Sequence, residues 1–301
     1  MDWVPLLFID AVCHQMKLEA FKQVSQLSSG WAEFGAEHNE KRREFVFSCT
    51  VDGTECSYYL RDIKGWTSWI SITDVHFTFD RITSVEFTCN STISWRNRVS
   101  LEELIRRILP FISSLATNCG CELPEFSAQN RFFFEAFKNC PAFNEITVQD
   151  QGEESREFVA RQVELGNVEI LYFCASESIS WPEPENLAAT LKKFVNSARF
   201  DDLIYRGFFP NEVEMFELFL ERALANELKL KARIVNLNKT KEDGNTTNQN
   251  ERIERISALH PECREKSAKI AWRIPNSNRR VTFEQFKTSS VIEVVSAASA
   301  N

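Results

Sequence analysis

Between residues 82 and 235 short apolar runs recur in a loose repeat, and that recurrence limits what the chain can become. The runs are Ser84–Phe87, Ser114–Thr117, Glu145–Val148, Ile170–Phe173, Asp202–Tyr205 and Leu228–Lys231. Anchored on Val85, Leu115, Ile146, Leu171, Leu203 and Leu228, they lie 25–32 residues apart. Apolar residues at helical spacing fill the gaps. Val99, Leu101, Leu104, Ile105, Ile108 and Leu109 form one group, and Phe132, Phe133, Phe134, Ala136 and Phe137 form another. Phe158, Val159, Val163 and Leu165, then Leu187, Leu191, Phe194 and Val195, then Val213, Phe216, Phe219, Leu220 and Leu224 complete the series. A strand followed by a helix cannot bury its own apolar face, so such units stack. Right-handed crossovers place the strands in one parallel sheet with the helices outside. The fold class expected is therefore α/β, an irregular solenoid over residues 82–235.

A doubly wound sheet with helices on both faces is the competing architecture. Its strands are buried on both sides and read as continuous apolar runs. Glu145-Ile146-Thr147-Val148 alternates instead, which favours one open face. That face is expected to display Glu86, Thr88, Thr117, Glu145, Thr147, Tyr172, Asp202 and Tyr205 (or Ile204 beside it), as a broad strip suited to a protein or peptide substrate. The repeat resembles a leucine-rich repeat, although the Leu-x-x-Leu-x-Leu-x-x-Asn consensus is absent. Longer, irregular units and a curved stack are expected from that departure.

The N-terminus carries two further stripes. Pro5 suits the first turn of a helix, where its missing N–H costs nothing. Leu6, Ile9, Cys13 and Met16 follow at helical spacing, widened by Phe8 and Val12. Leu18, Phe21, Val24 and Leu27 make the second stripe, which ends near Gly30 and Trp31. Two short helices over residues 1–36 cannot bury both stripes alone. They pack on the rest of the chain, as an ordinary helical cap, or on a partner. Val4-Pro5 at the opening and Leu27-Ser28-Ser29-Gly30-Trp31 at the close give this segment a resemblance to a divergent F-box. Val stands where that motif has Leu before Pro, Lys17 where it has an acidic residue, and no Cys precedes Trp31. With its opening Met1-Asp2-Trp3-Val4-Pro5, the whole chain resembles the F-box-like proteins with degenerate leucine-rich-repeat tails that are abundant in nematodes. The resemblance implies docking on the Skp-type linker of a cullin–RING ubiquitin ligase through Pro5, Leu6, Phe8, Ile9, Val12, Leu18, Phe21 and Trp31.

Elsewhere the period changes to two. Phe45–Val51 and Thr54–Leu60 flank Asp52-Gly53, a pair that favours a tight hairpin turn. With Trp66, Trp69, Ile70 and the run Val75–Phe79, they predict an antiparallel β layer over 45–80. The charged stretch 37–44 reads as the end of the helical cap or a solvated connector. Residues 236–252 lack any apolar period and predict a mobile loop. Ile270–Ile274 and Val281–Phe283, around Pro275–Arg280, predict a hairpin within a C-terminal cap over 253–301, and Val291–Val295 a last strand before a frayed tail.

The formal net charge of −8 argues against a general nucleic-acid binder. Lys41-Arg42-Arg43, Arg106-Arg107 and Arg279-Arg280 read as solvated faces. No apolar stretch is long enough to span a membrane, and no signal peptide is recognisable. Nine cysteines set inside apolar stripes point to a reducing compartment, cytoplasm or nucleus. No phosphate loop, nucleophile elbow or metal helix is present. Four histidines, His14, His38, His76 and His260, are scattered. Cys119-Gly120-Cys121 with Cys140 lacks the paired spacing of a zinc knuckle. Glu102-Glu103 and Asp201-Asp202 read as surface carboxylates. The expectation is an interaction protein without enzyme activity, cofactor or metal: a substrate-recognition subunit of a cullin–RING ligase, or alternatively a repeat scaffold without that role.

Overall fold

Helical and period-two stretches alternate along the chain, and the computed structural model is accordingly α/β. It describes residues 4–16, 18–27, 30–52, 55–65, 69–88, 97–123, 131–175, 185–207, 211–237, 253–264, 270–286 and 289–296. The chain divides into two units, Met1–Asn144 and Glu145–Asn301.

The first unit opens with α1 (Leu6–Gln15), a 3-10 turn (Leu18–Ala20), α2 (Phe21–Val24) and α3 (Gly30–Lys41). Gly35 lets α3 approach α2, since a Cβ there would lie 2.7 Å from Val24 Cγ1. Strands β1 (Glu44–Asp52) and β2 (Glu55–Asp62) pair antiparallel from Phe45↔Asp62 to Asp52↔Glu55. β3 (Trp69–Ile70) and β5 (Asn97–Ser100) both pair with β2, while β4 (Arg81–Thr88) runs parallel to β1. A helical run follows: α4 (Leu101–Glu103), a π turn (Leu104–Ile108) and α5 (Leu109–Leu115). Pro110 has no N–H and its ring crowds the carbonyl four residues back. The π turn lies just before it, with Leu109 N–H bonding to Leu104 O. β6 (Ala116–Leu123) runs parallel to β4, and α6 (Arg131–Phe137) follows. Phe45 to Cys49 are buried without a break, so β1 is covered on both faces. Phe133 links Phe87 and Phe137 at ring separations of 4.0 and 4.6 Å.

The second unit takes in β7 (Phe143–Gln149) from Glu145 onward and alternates strictly: α7 (Glu153–Leu165), β8 (Ile170–Cys174), α8 (Glu185–Val195), β9 (Asp202–Arg206), α9 (Glu212–Leu224), β10 (Arg233–Leu237). The four strands lie parallel in chain order. Helix α8 packs beside both α7 and α9, so the helices form one layer. Asp150 starts α7 by accepting from Gly152 N–H and from Arg156, and Gly166, in the left-handed region at φ +75°, ends it. Burial alternates along β8, β9 and β10, so one face carries the helices and the other stays partly open. Antiparallel strands β11 (Ile270–Arg273), β12 (Arg279–Gln285) and β13 (Ser290–Ser296) follow, with β13 beside β10. Buried Trp272 donates to Leu259 O, tying that end to a helical turn over 253–257.

Several local expectations are corrected. Gly30 and Trp31 do not end the helical segment; they begin α3, which continues into the charged stretch. Val75–Phe79 is a turn rather than a strand, because the Phe77 and Thr78 carbonyls bend onto the Arg81 guanidinium. The expected run Ser114–Thr117 is part helix: α5 runs through Leu115, so β6 begins at Ala116. Leu228–Lys231 is not a strand: Lys231 sits at φ +73°, and pairing starts at Arg233. Asn236 and Leu237, expected in a loop, end β10. Gly53, Trp66, Lys17, Ser28, Ser29 and residues 238–252 lie outside the described residues.

Phe133→Ala removes the ring joining Phe87 to Phe137. We expect a loss of about 3–5 kcal/mol of stability, read from urea unfolding.

Candidate interaction surface

Helix α1 is apolar over Leu6-Leu7-Phe8-Ile9, four residues that turn about 100° each and cannot share one side. Ile9 and Cys13 face inward and join Phe21 in a core cluster, with Val4, Met16, Leu18, Trp31 and Phe34 packed against it. Leu6, Leu7 and Phe8 remain 60%, 85% and 55% exposed, and Leu27 after α2 is 53% exposed.

The C-terminal turn of α1 is held by three donors from the body of the unit. Arg42 donates to Cys13 O at 3.1 Å, Arg81 Nε to His14 O at 3.5 Å, and Asn118 Nδ2 to Gln15 O at 2.7 Å. These carbonyls belong to the last turn, where partners within the helix run out, although Cys13 O also accepts Met16 N–H, and a guanidinium there answers the helix dipole. Burial lowers the pKa of both arginines, opposed by Glu44 for Arg42 and by Asp10 for Arg81, yet an arginine stays charged. Burial raises the Glu44 carboxyl and the Cys13 thiol, so Cys13 behaves as a small apolar side chain.

The eight motif positions separate. Pro5, Leu6 and Phe8 are exposed, and Val12 is half-buried. Leu18 and Trp31 are partly covered by the chain's own cluster, and Ile9 and Phe21 are sealed within it. Pro5 caps α1 rather than sitting in its first turn, accepting from Phe8 N–H and Ile9 N–H. Leu7, the most exposed of the apolar set, lay off the stripe. The signal for it was the unbroken apolar tetrad at the helix start.

On the open face of the second unit, the registers set Glu145 beside Ile170 and Asp202, and Thr147 beside Tyr172 and Ile204. Asp202 pairs with Arg233 at 2.7 Å, and its carboxyl is raised by burial against the pull of Arg233. Tyr205 does not share this face; it is buried and stacks on Phe173. In the first unit Glu86 accepts from Ser48, Thr88 lies in β4, and Thr117 is buried rather than displayed.

The basic clusters are internally paired: Lys41 with Glu37, Arg43 with Asp80, and Arg106 and Arg107 with Glu102 and Glu103. Arg279 donates to Leu228 O. Burial pushes the Cys119 and Cys121 thiols far up. Two of the histidines read as scattered come together: His14 and His38 both face Asp10. No helix among the described residues is long and apolar enough to cross a membrane.

No family model matches the chain, and no curated protein sequence matches it. Among solved structures it is similar to MycE methyltransferase from the mycinamycin biosynthetic pathway. That enzyme appears with Mg and SAH in two crystal forms, and with Mg, SAH and mycinamycin VI. Each comparison gives 10% identity and a TM-score of 0.26, covering 97% of this chain and 92–93% of the other. A likeness at that level carries no argument about activity.

Leu7→Ser is expected to shift stability by no more than about 0.5 kcal/mol. Ile9→Ala, two residues on, is expected to cost about 2–5 kcal/mol. Thermal unfolding of the two variants side by side checks that the outer end of α1 is not part of the core.

Proposed function

We propose that this chain is a protein-interaction adaptor that docks through the exposed apolar end of α1 and recruits a second protein on the open sheet face of its second unit. Leu6, Leu7 and Phe8 carry the reading, as a contiguous apolar end on a helix whose other end is anchored. An exposed aromatic and two leucines in one turn form an anchor of the kind that helix-in-groove recognition uses. The resemblance to an F-box names the partner: the Skp-type linker of a cullin–RING ubiquitin ligase. The adaptor does no bond chemistry. It raises the concentration of substrate near the charged ubiquitin-transferring enzyme.

The substrate side rests on the parallel strands β7 to β10, which follow chain order under a single layer of helices. That arrangement supports a leucine-rich-repeat-like reading. Glu145, Thr147 and Tyr172 are the display positions, and Asp202 in the same rows is held by Arg233. The described cysteines are unpaired thiols, which fits a cytoplasmic or nuclear setting.

A second reading is a scaffold that binds proteins without the ligase. The burial of Ile9 and Phe21, and the use of Leu18 and Trp31 by the chain's own cluster, favour it. Calorimetry with the purified linker decides between them. The ligase reading expects saturable one-to-one binding that weakens at least about 30-fold in the Leu6→Ser, Leu7→Ser, Phe8→Ser triple variant. No binding by the unaltered chain overturns the linker assignment. Binding that the triple variant leaves intact overturns the docking surface.

A further inference from the structure

The geometry points to a divalent transition-metal site at Asp10, His14 and His38, with zinc as the metal its ligands suit. It stands apart from the docking reading. Asp10 and His14 are four residues apart on α1 and share one side of it, while His38 comes from α3. His38 Nε2 lies 3.1 Å from Asp10 Oδ1, and His14 Nε2 lies 3.3 Å from Asp10 Oδ2. One ligand atom from each residue falls within 4.8 Å of the others, the one such group among the described residues. Zinc bonds of about 2.0–2.2 Å to nitrogen and oxygen set tetrahedral ligand atoms roughly 3.3 Å apart, and the two histidines, which reach different oxygens of Asp10, close on that spacing from within 4.8 Å.

The surroundings define what kind of site this is. His38 is 1% exposed and stacks on Phe21 with Phe79 at its edge, which fixes its ring. The Asp10 and His14 side chains are 32% and 26% exposed, so a fourth position opens toward water. Cys13 lies on the neighbouring flank of α1, in the core cluster with Ile9 and Phe21. Arg81 is the opposing group, since its Nη2 contacts His14 Nδ1. A metal on Nε2 moves the His14 proton to Nδ1, and Arg81 must then withdraw. It has other acceptors to withdraw to, the carbonyls of Phe77, Thr78 and Asp80. His38 Nδ1 has no partner among the described residues. Outer partners of metal-bound histidines are each worth about 10–100-fold in affinity, so the site is weaker than a closed structural zinc centre. Its occupation joins α1 to α3.

The test is titration of the full chain, kept reduced, with Co2+ and then with Zn2+ in competition. One equivalent of Co2+ with tetrahedral visible bands and no thiolate charge-transfer band is expected, displaced by Zn2+, together with a rise in unfolding temperature. His14→Gln and Asp10→Asn, at partly exposed positions, should each lower affinity at least about 10-fold and remove the temperature rise while leaving the far-UV circular dichroism unchanged. No binding by the unaltered chain overturns the site. Undiminished binding in both variants, or a thiolate band, also overturns it by placing the metal elsewhere. Linker binding is not the readout, so failure here is separable from failure of the docking surface.

Discussion

The first unit depends on how the end of α1 is held. A ten-residue helix is too short to persist by itself, and its last carbonyls need donors wherever it is laid down. Arg42, Arg81 and Asn118 come from three different segments and converge on three consecutive carbonyls. A hydrogen bond to a charged group contributes about 1.5–3 kcal/mol, and a cation at a partly buried helix C-terminus up to about 2 kcal/mol. These terms overlap and do not simply add. They are still comparable with burying a large side chain such as Ile9. The polar attachment fixes direction, and the apolar cluster of Ile9, Cys13 and Phe21 fixes depth. With both fixed at one end, the Leu6–Phe8 turn is left to project.

The two units solve the sheet problem differently. In the first, Phe45 through Cys49 are all buried, so β1 offers no face to a ligand. In the second, β8, β9 and β10 bury alternate residues. The helical layer covers one side with rings, including the Phe194–Phe200–Phe219 series. The residues opposite are charged, hydroxylated or moderately apolar. Burial alternates along β2 and β6 of the first unit as well, and it is β1 between its neighbours that is covered on both faces.

How much of this was legible follows from which forces act locally. Asp52 before a glycine, between β-branched and aromatic runs, specifies a hairpin through backbone preference, and β1 and β2 pair up to Asp52↔Glu55. Glu145–Val148, Ile170–Phe173 and Asp202–Tyr205 fall in strands because their apolar period is short-range information. Tyr205 was misplaced on the open face by the loose anchoring of the run: its neighbour Ile204 lies beside Tyr172, whereas Tyr205 meets Phe173. Leu228–Lys231 has the alternation of a strand, but Lys231 adopts a left-handed conformation and its N–H bonds to Val294 O, a contact 63 residues away in sequence. Val75–Phe79 alternates too, and there a buried arginine claims the carbonyls. In both cases a tertiary partner overrides a local pattern. The meeting of His14 and His38 is of the same kind: nothing within either helix announces it.

The polar contacts of α1 also bear on what a partner could exploit. Asp10 and His14 lie on one flank of the helix and Ile9 and Cys13 on the next, so the flanks that face the unit are already committed. Leu7 lies on the remaining side, and Leu6 and Phe8 border it at the free end. A partner groove can therefore engage α1 without extracting it. Binding then requires no unfolding of the core cluster, and the association keeps the free energy that docking a buried stripe would have consumed. A helical segment whose inner stripe is used by its own chain can meet a partner only through its outer residues, and those are the residues this helix leaves uncovered.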